Sequence, residues 1–200
     1  MTRIKFCGIK ESTDISVINE IKPEYIGFVF WSKSKRNVST EEALSIGKRL
    51  SPGIKKVGVF VDENINTVAG LLDEGVIDIA QLHGNESEDY ILELKRRTGN
   101  GIIKAFKIKS ANDLDDALKS SADLVLLDAG MGDGKAFDWE ILEGFKRSYI
   151  LAGGLDPSNV REAIDKLHPY GVDVSSGIEK DGIKDVSMMN AFAEAVRREK

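Results

Sequence analysis

The chain is poor in the residues that most often announce a chemistry. Its 200 residues include one cysteine, Cys7, and two histidines, His83 and His168. A lone cysteine excludes an intramolecular disulfide and a cysteine-built zinc site, and the two separated histidines offer no His-x-x-x-His spacing, so no metal is expected. No apolar run approaches the length of a membrane span, so no membrane partner is expected either. Met-Thr-Arg leads straight into a strand, which leaves no room for a signal peptide and makes a cytoplasmic location the default. Basic charge is not in excess. The net charge of −5 gives no bulk attraction to nucleic acid, although a local basic pocket remains compatible with it. Linkers, low-complexity stretches and shifts of composition are absent as well, and residues 1–200 read as one domain.

A hydrophobic content of 42% and a charged content of 30% are ordinary globular values, ample for a real core. Extended apolar runs recur along the chain. They are Ile4–Lys10, Tyr25–Trp31, Val57–Val61, Ile77–His83, Ile102–Ile108, Leu124–Asp128, Tyr149–Ala152 and Gly171–Ser175. Between them lie amphipathic segments with helix-start signals. Ser12-Thr13-Asp14 precedes the first, and Ser39 stands three residues before Glu42 in capping-box spacing. Asp156 or Ser158 can cap the segment that ends at Leu167, and a short helix is expected over Trp139–Phe145. Eight strand-like runs, each followed by a helical segment, predict an α/β protein built as a single (βα)8 TIM barrel, because open doubly wound sheets usually stop at five or six strands.

In such a barrel the working surface is the C-terminal rim of the strands. The strand ends are then Cys7, Trp31, Val61, His83, Ile108, Asp128, Ala152-Gly153 and Ser175-Ser176. Gly153-Gly154 and Ser175-Ser176-Gly177 follow strands seven and eight, the usual phosphate position. There glycine lets backbone N–H groups approach an anion and serine adds a hydroxyl donor; the same glycines would also suit tight turns. Asp128 ends an otherwise apolar strand and is either a turn former or a pocket carboxyl. The glycine-rich stretch Gly130–Lys135 behind it suits a cover over a ligand. Cys7 is either a small buried filler or a side chain delivered to the rim. A thiol of pKa about 8.5 works as a base only if its surroundings lower that value, for instance through a nearby lysine. Arg36 is either a solvated loop charge or a fork for a carboxylate. His83 and Gln81 either line the pocket or satisfy backbone groups.

With these strand ends aligned, the sequence resembles the phosphoribosylanthranilate isomerase family of tryptophan biosynthesis. The resemblance is carried by Lys5-Phe6-Cys7-Gly8-Ile9, Gly27-Phe28-Val29-Phe30 with Ser34-Lys35-Arg36, Val57–Val61, Gln81-Leu82-His83-Gly84, Gly134–Trp139, Ala152-Gly153-Gly154-Leu155 and Asp173–Glu179, in barrel order. It implies an isomerase acting on a phosphorylated aminosugar by an Amadori rearrangement, without metal or organic cofactor, as a monomer or homodimer. It implies Asp128 as the acid that opens the sugar ring and Cys7 as the base that removes the C2 proton. It also implies Arg36 and His83 on the substrate, with Gly154, Ser176 and Gly177 on its phosphate. The related aminoaldose isomerase of histidine biosynthesis pairs two aspartates, and the cysteine at the end of strand one argues against that pairing. A binder that has lost its chemistry would not need both Cys7 and Asp128. One departure stands out: Asp133 occupies a loop position where the family usually has a small hydroxyl residue.

Overall fold

The structure, a computed structural model, describes residues 1–129 and 139–198. Eight parallel strands close into a barrel in simple sequential order. They are β1 (Arg3–Cys7), β2 (Tyr25–Val29), β3 (Lys55–Phe60), β4 (Ile79–Leu82), β5 (Gly101–Lys107), β6 (Leu124–Asp128), β7 (Tyr149–Ala152) and β8 (Gly171–Val174). β8 pairs with β1, with Lys5 opposite Asp173, and Cys7 stands opposite Gly27 on β2.

Side-chain alternation sorts each strand into two faces. On β1, Ile4 and Phe6 join the large core between barrel and helices, while Cys7 groups with Val29 and Val59 on the inner face. The inner face below them is filled by Val57, Ile103, Ala105, Leu126, Ile150 and Ala152. Both faces are therefore covered, which is why these strands read as continuous apolar runs.

Helices α1 (Ile15–Ile21), α2 (Thr40–Gly47), α3 (Ile65–Asp73), α4 (Glu88–Thr98), α5 (Asp113–Lys119), α6 (Val160–Leu167) and α7 (Val186–Arg197) pack outside. Their starts follow from the sequence. Asp14, Asn64 and Ser87 each accept a backbone N–H of the first turn, and Ser39 Oγ accepts from Glu42 N at 3.1 Å. The Glu42 carboxylate instead reaches the Glu11 N–H at 2.8 Å, tying the first βα loop to α2. Asp156 caps the turn before α6 by accepting from Ser158 N and Asn159 N, and Ser158 is its partner rather than the cap.

Two of the eight units depart from the expected pattern. The helix expected over Trp139–Phe145 is a 3-10 turn, Trp139–Leu142, continued by i→i+3 bonds from Glu143 and Phe145. The segment after β8 is a 3-10 turn, Ser176–Ile178, followed by a small hairpin of β9 (Glu179–Lys180) and β10 (Ile183–Lys184). Asp181 and Gly182 both adopt positive φ, 54° and 80°, as a two-residue type I′ turn requires. The predicted cover Gly130–Lys135, with Asp133, lies outside the described residues. Among the described residues no helix is long and apolar enough to cross a membrane.

Candidate active site

A cavity of about 340 Å³ opens at the C-terminal rim of the barrel. Of the strand-end residues read from the sequence, Cys7, Trp31, Val61, His83, Asp128, Ala152, Gly153, Ser175 and Ser176 all line it, and so do Arg36 and Gly154. Ile108 is buried beside the core instead. Gly177 does not line the cavity either. Its α-carbon sits so close to the Leu155 carbonyl that any Cβ would collide with it. Gly177 thus sets the spacing of the two loops that carry the glycine-serine edge.

That edge offers backbone and hydroxyl groups. Gly153 and Gly154 adopt φ of 93° and 66°, conformations open to glycine at little cost. The Gly154 carbonyl is fixed by Asn159 Nδ2 at 2.9 Å. In a trans peptide the Leu155 N–H then points the opposite way. Ser175 Oγ donates to the Cys7 carbonyl at 3.1 Å, joining β8 to β1 at the rim.

Arg36 is not a solvated loop charge. Its Nε and Nη2 donate to the two carboxylate oxygens of Glu179 at 2.7 and 2.6 Å. Lys184 Nζ donates to the same carboxylate at 2.7 Å and to the Ser175 carbonyl at 2.9 Å. Burial pushes the Glu179 carboxyl up, but these two cations outweigh it and hold its pKa at about 2. Two edges of the guanidinium can make forks, and Glu179 takes only the Nε–Nη2 edge. The Nη1–Nη2 end remains for a second carboxylate.

Across the cavity, His83 Nε2 stands 3.4 Å from Asp128 Oδ2. Its other ring nitrogen, Nδ1, faces the Gln81 amide at 3.1 Å. His83 is thus placed beside the expected acid, with Gln81 behind it. His168 ends α6 and has no part in the cavity.

Cys7 is buried. Burial pushes its thiol above the ordinary value, and Asp173 adds to that; Lys5 and Lys184 pull it down without prevailing. A lysine does sit nearby, as the sequence reading required, but the desolvation it must offset is larger. Lys5 is itself fully buried, and its Nζ bonds Asp173 Oδ1 at 2.8 Å.

Sequence reasoning missed Glu179 and Lys184 because their hairpin was not anticipated, and Lys5 and Asp173 because they were read only as parts of motifs. Alternation could have found the last two: a charged residue inside an apolar barrel strand, on the inner face, has to meet a partner there. Among the described residues no group of three or more His, Cys, Asp or Glu side chains is placed to hold a metal ion.

Comparison with known proteins agrees with this geometry. The family model described as N-(5'phosphoribosyl)anthranilate (PRA) isomerase matches residues 4–195. An N-(5'-phosphoribosyl)anthranilate isomerase from Caldanaerobacter subterraneus subsp. tengcongensis is 44% identical over 98% of both chains. The crystal structure of the phosphoribosyl anthranilate isomerase from Thermotoga maritima superposes with a TM-score of 0.89 at 35% identity, covering 98% of this chain and 99% of that one. A further crystal structure, of such an isomerase in complex with reduced 1-(o-carboxyphenylamino)-1-deoxyribulose 5-phosphate, has a TM-score of 0.86 at 34% identity, with the same coverage. The chain belongs to the phosphoribosylanthranilate isomerase family.

Proposed function

We propose that this chain, working as one catalytic domain over residues 1–200, converts N-(5-phosphoribosyl)anthranilate into 1-(2-carboxyphenylamino)-1-deoxyribulose 5-phosphate in tryptophan biosynthesis. The observation that carries this reading is the convergence of a thiol, a carboxyl, a guanidinium and a glycine-serine edge on one cavity. The analogue bound by the relative described above has a carboxylate at one end and a phosphate at the other, and the Arg36 guanidinium and the glycine-serine edge of that cavity offer a partner for each.

Asp128 gives its proton to the furanose ring oxygen. The C1–O bond breaks and the aniline nitrogen lone pair forms a C1=N iminium. Cys7, as thiolate, takes the C2 proton; the C2–H electron pair becomes the C1=C2 bond, and the iminium nitrogen recovers its lone pair. The resulting enolamine gains a proton at C1 and loses its C2 hydroxyl proton, giving the ketose. β1 and β6 stand three strands apart around the closed barrel, so the two groups can flank one sugar ring. Each proton-transfer group is worth typically about 10²–10⁴-fold.

Arg36 holds the anthranilate carboxylate with its free Nη1–Nη2 end, and Gly154 and Ser176 hold the phosphate, with Gly177 keeping their loops in register. His83 stands beside Asp128 in the cavity wall and orients it. Fixing both ends of the substrate brings C2 and the ring oxygen to the two catalysts, which is where positioning contributes to rate.

The test follows the loss of phosphoribosylanthranilate fluorescence with purified protein, with the aminoaldose substrate of histidine biosynthesis run in parallel. Turnover of the first and not the second is expected. No turnover of the first would overturn the assignment.

A further inference from the structure

The reading of Cys7 as the base leaves a physical difficulty, since burial drives its thiol away from the ionised form. The groups around it suggest how the chain meets this. Lys5 lies two residues before Cys7 on β1, so both side chains point to the same, inner face of the barrel. Opposite Cys7 on β2 stands Gly27. A Cβ at Gly27 would fall 2.9 Å from Cys7 Sγ and 3.1 Å from Lys5 Nζ. The thiol and the ammonium therefore share the space that the missing side chain leaves open. On the other flank, Asp173 of β8 is the register partner of Lys5 and accepts its hydrogen bond at 2.8 Å.

We propose that Lys5, held by Asp173 in the gap left by Gly27, is the positioning residue that stabilises the Cys7 thiolate for proton abstraction. The proposal rests on Cys7 being the base. A fully buried lysine would ordinarily shed its proton. Burial works in that direction on Lys5, but Asp173, with Cys7 behind it, outweighs burial and holds the ammonium above its ordinary pKa. Asp173 thus keeps a positive charge in place and fixes where it points. The charge is not solvated away, because Lys5 is 1% exposed.

The other charged groups acting on the thiol come from different elements. Lys184 of β10 lowers its pKa and Asp173 raises it, while Arg36, after β2, is itself favoured as a cation by the Cys7 charge. Lys184 and Arg36 are both already committed to Glu179. Lys5 is the cation that faces Cys7 from its own strand, and its effect on the thiol is the largest of the charges there.

The chain's single cysteine makes the test direct, because any thiol reactivity is that of Cys7. Alkylation of the native protein by iodoacetamide is followed as a function of pH for the wild type and Lys5→Met. The variant should titrate at least about one pH unit higher, and its kcat/KM at neutral pH should fall about tenfold or more and recover as pH rises. Lys5→Met leaves Asp173 unpaired and could fail to fold. The double variant Lys5→Met/Asp173→Asn removes both charges and is expected to shift upward by less than the single variant, because Asp173 raises the thiol's pKa while Lys5 lowers it by more. An unchanged alkylation midpoint in either folded variant would overturn the proposal. A raised midpoint with unchanged kcat/KM would overturn it through its premise, by removing Cys7 from the proton transfer while leaving the Lys5–thiol coupling intact.

Discussion

Arg36 shows how much a single side chain depends on its setting. Alone in a polar loop it would be a mobile cation. Clasped by the Glu179 carboxylate along one edge, it presents its remaining edge in a fixed direction. Arg36→Ala should therefore raise KM by about tenfold or more with a smaller effect on kcat, as expected for a group that binds ground state and transition state alike. Steady-state kinetics checks this, and an unchanged KM would remove Arg36 from the substrate. Glu179→Gln should move KM in the same direction by a smaller factor. Glu179 also links the site to stability. Its pKa is about 2 in the fold against an ordinary 4.5. A carboxyl depressed by folding contributes stability above its unfolded pKa, and that contribution is lost as pH falls through the folded value. The wild type should accordingly be more stable than Glu179→Gln at neutral pH, with the gap closing between about pH 4.5 and about pH 2. Urea midpoints measured across that range check the sign; a gap that widens on acidification would contradict it.

Elements at the barrel rim are tied together by buried charge. Lys104, on β5, donates to the Gly84 carbonyl at 2.7 Å and to Glu86 at 3.0 Å, and Glu86 in turn accepts from Asp62 N at 2.8 Å and from Gly84 N at 3.0 Å. This network joins the loops that follow β3 and β4 to β5. Both side chains are almost wholly out of solvent, so removing one partner leaves the other charge buried. Lys104→Met should cost about 3–5 kcal/mol of stability, read from urea unfolding. A loss below about 1 kcal/mol, the range of an exposed pair, would contradict the burial argument. The elements also show what could be read in advance. Strand runs, helix caps such as Asp14 and Ser39, and the barrel itself were legible because hydrophobic period and capping chemistry are local. The β9–β10 hairpin was not anticipated, although Asp181-Gly182 is a turn signal, because its two-residue strands are too short to show a period. The Trp139–Leu142 turn was read as a longer helix because apolar spacing alone does not separate i→i+3 from i→i+4 bonding.

In the whole molecule, closure of the barrel brings seven of the eight separated strand ends to one cavity. This is why the ends of β1 and β6, which lie far apart in the chain, can serve one sugar ring. It is also why the positions of Cys7, His83 and Asp128 at the rim were legible from strand order, whereas their electrostatics were not, and Arg36, in a loop, was legible only through the family resemblance. The burial of Cys7 and the latch on Arg36 arise from contacts between units distant in sequence, and no local pattern encodes them. Gly177 belongs to the same class: its need for glycine comes from Leu155 on another loop. Catalysis by two proton-transfer groups in one cavity is tested most directly by the turnover of phosphoribosylanthranilate by Cys7→Ser and Asp128→Asn beside the wild type. Each variant should bind substrate with nearly unchanged affinity while kcat falls by about 10²-fold or more. A near-normal kcat in either would contradict the role assigned to that residue.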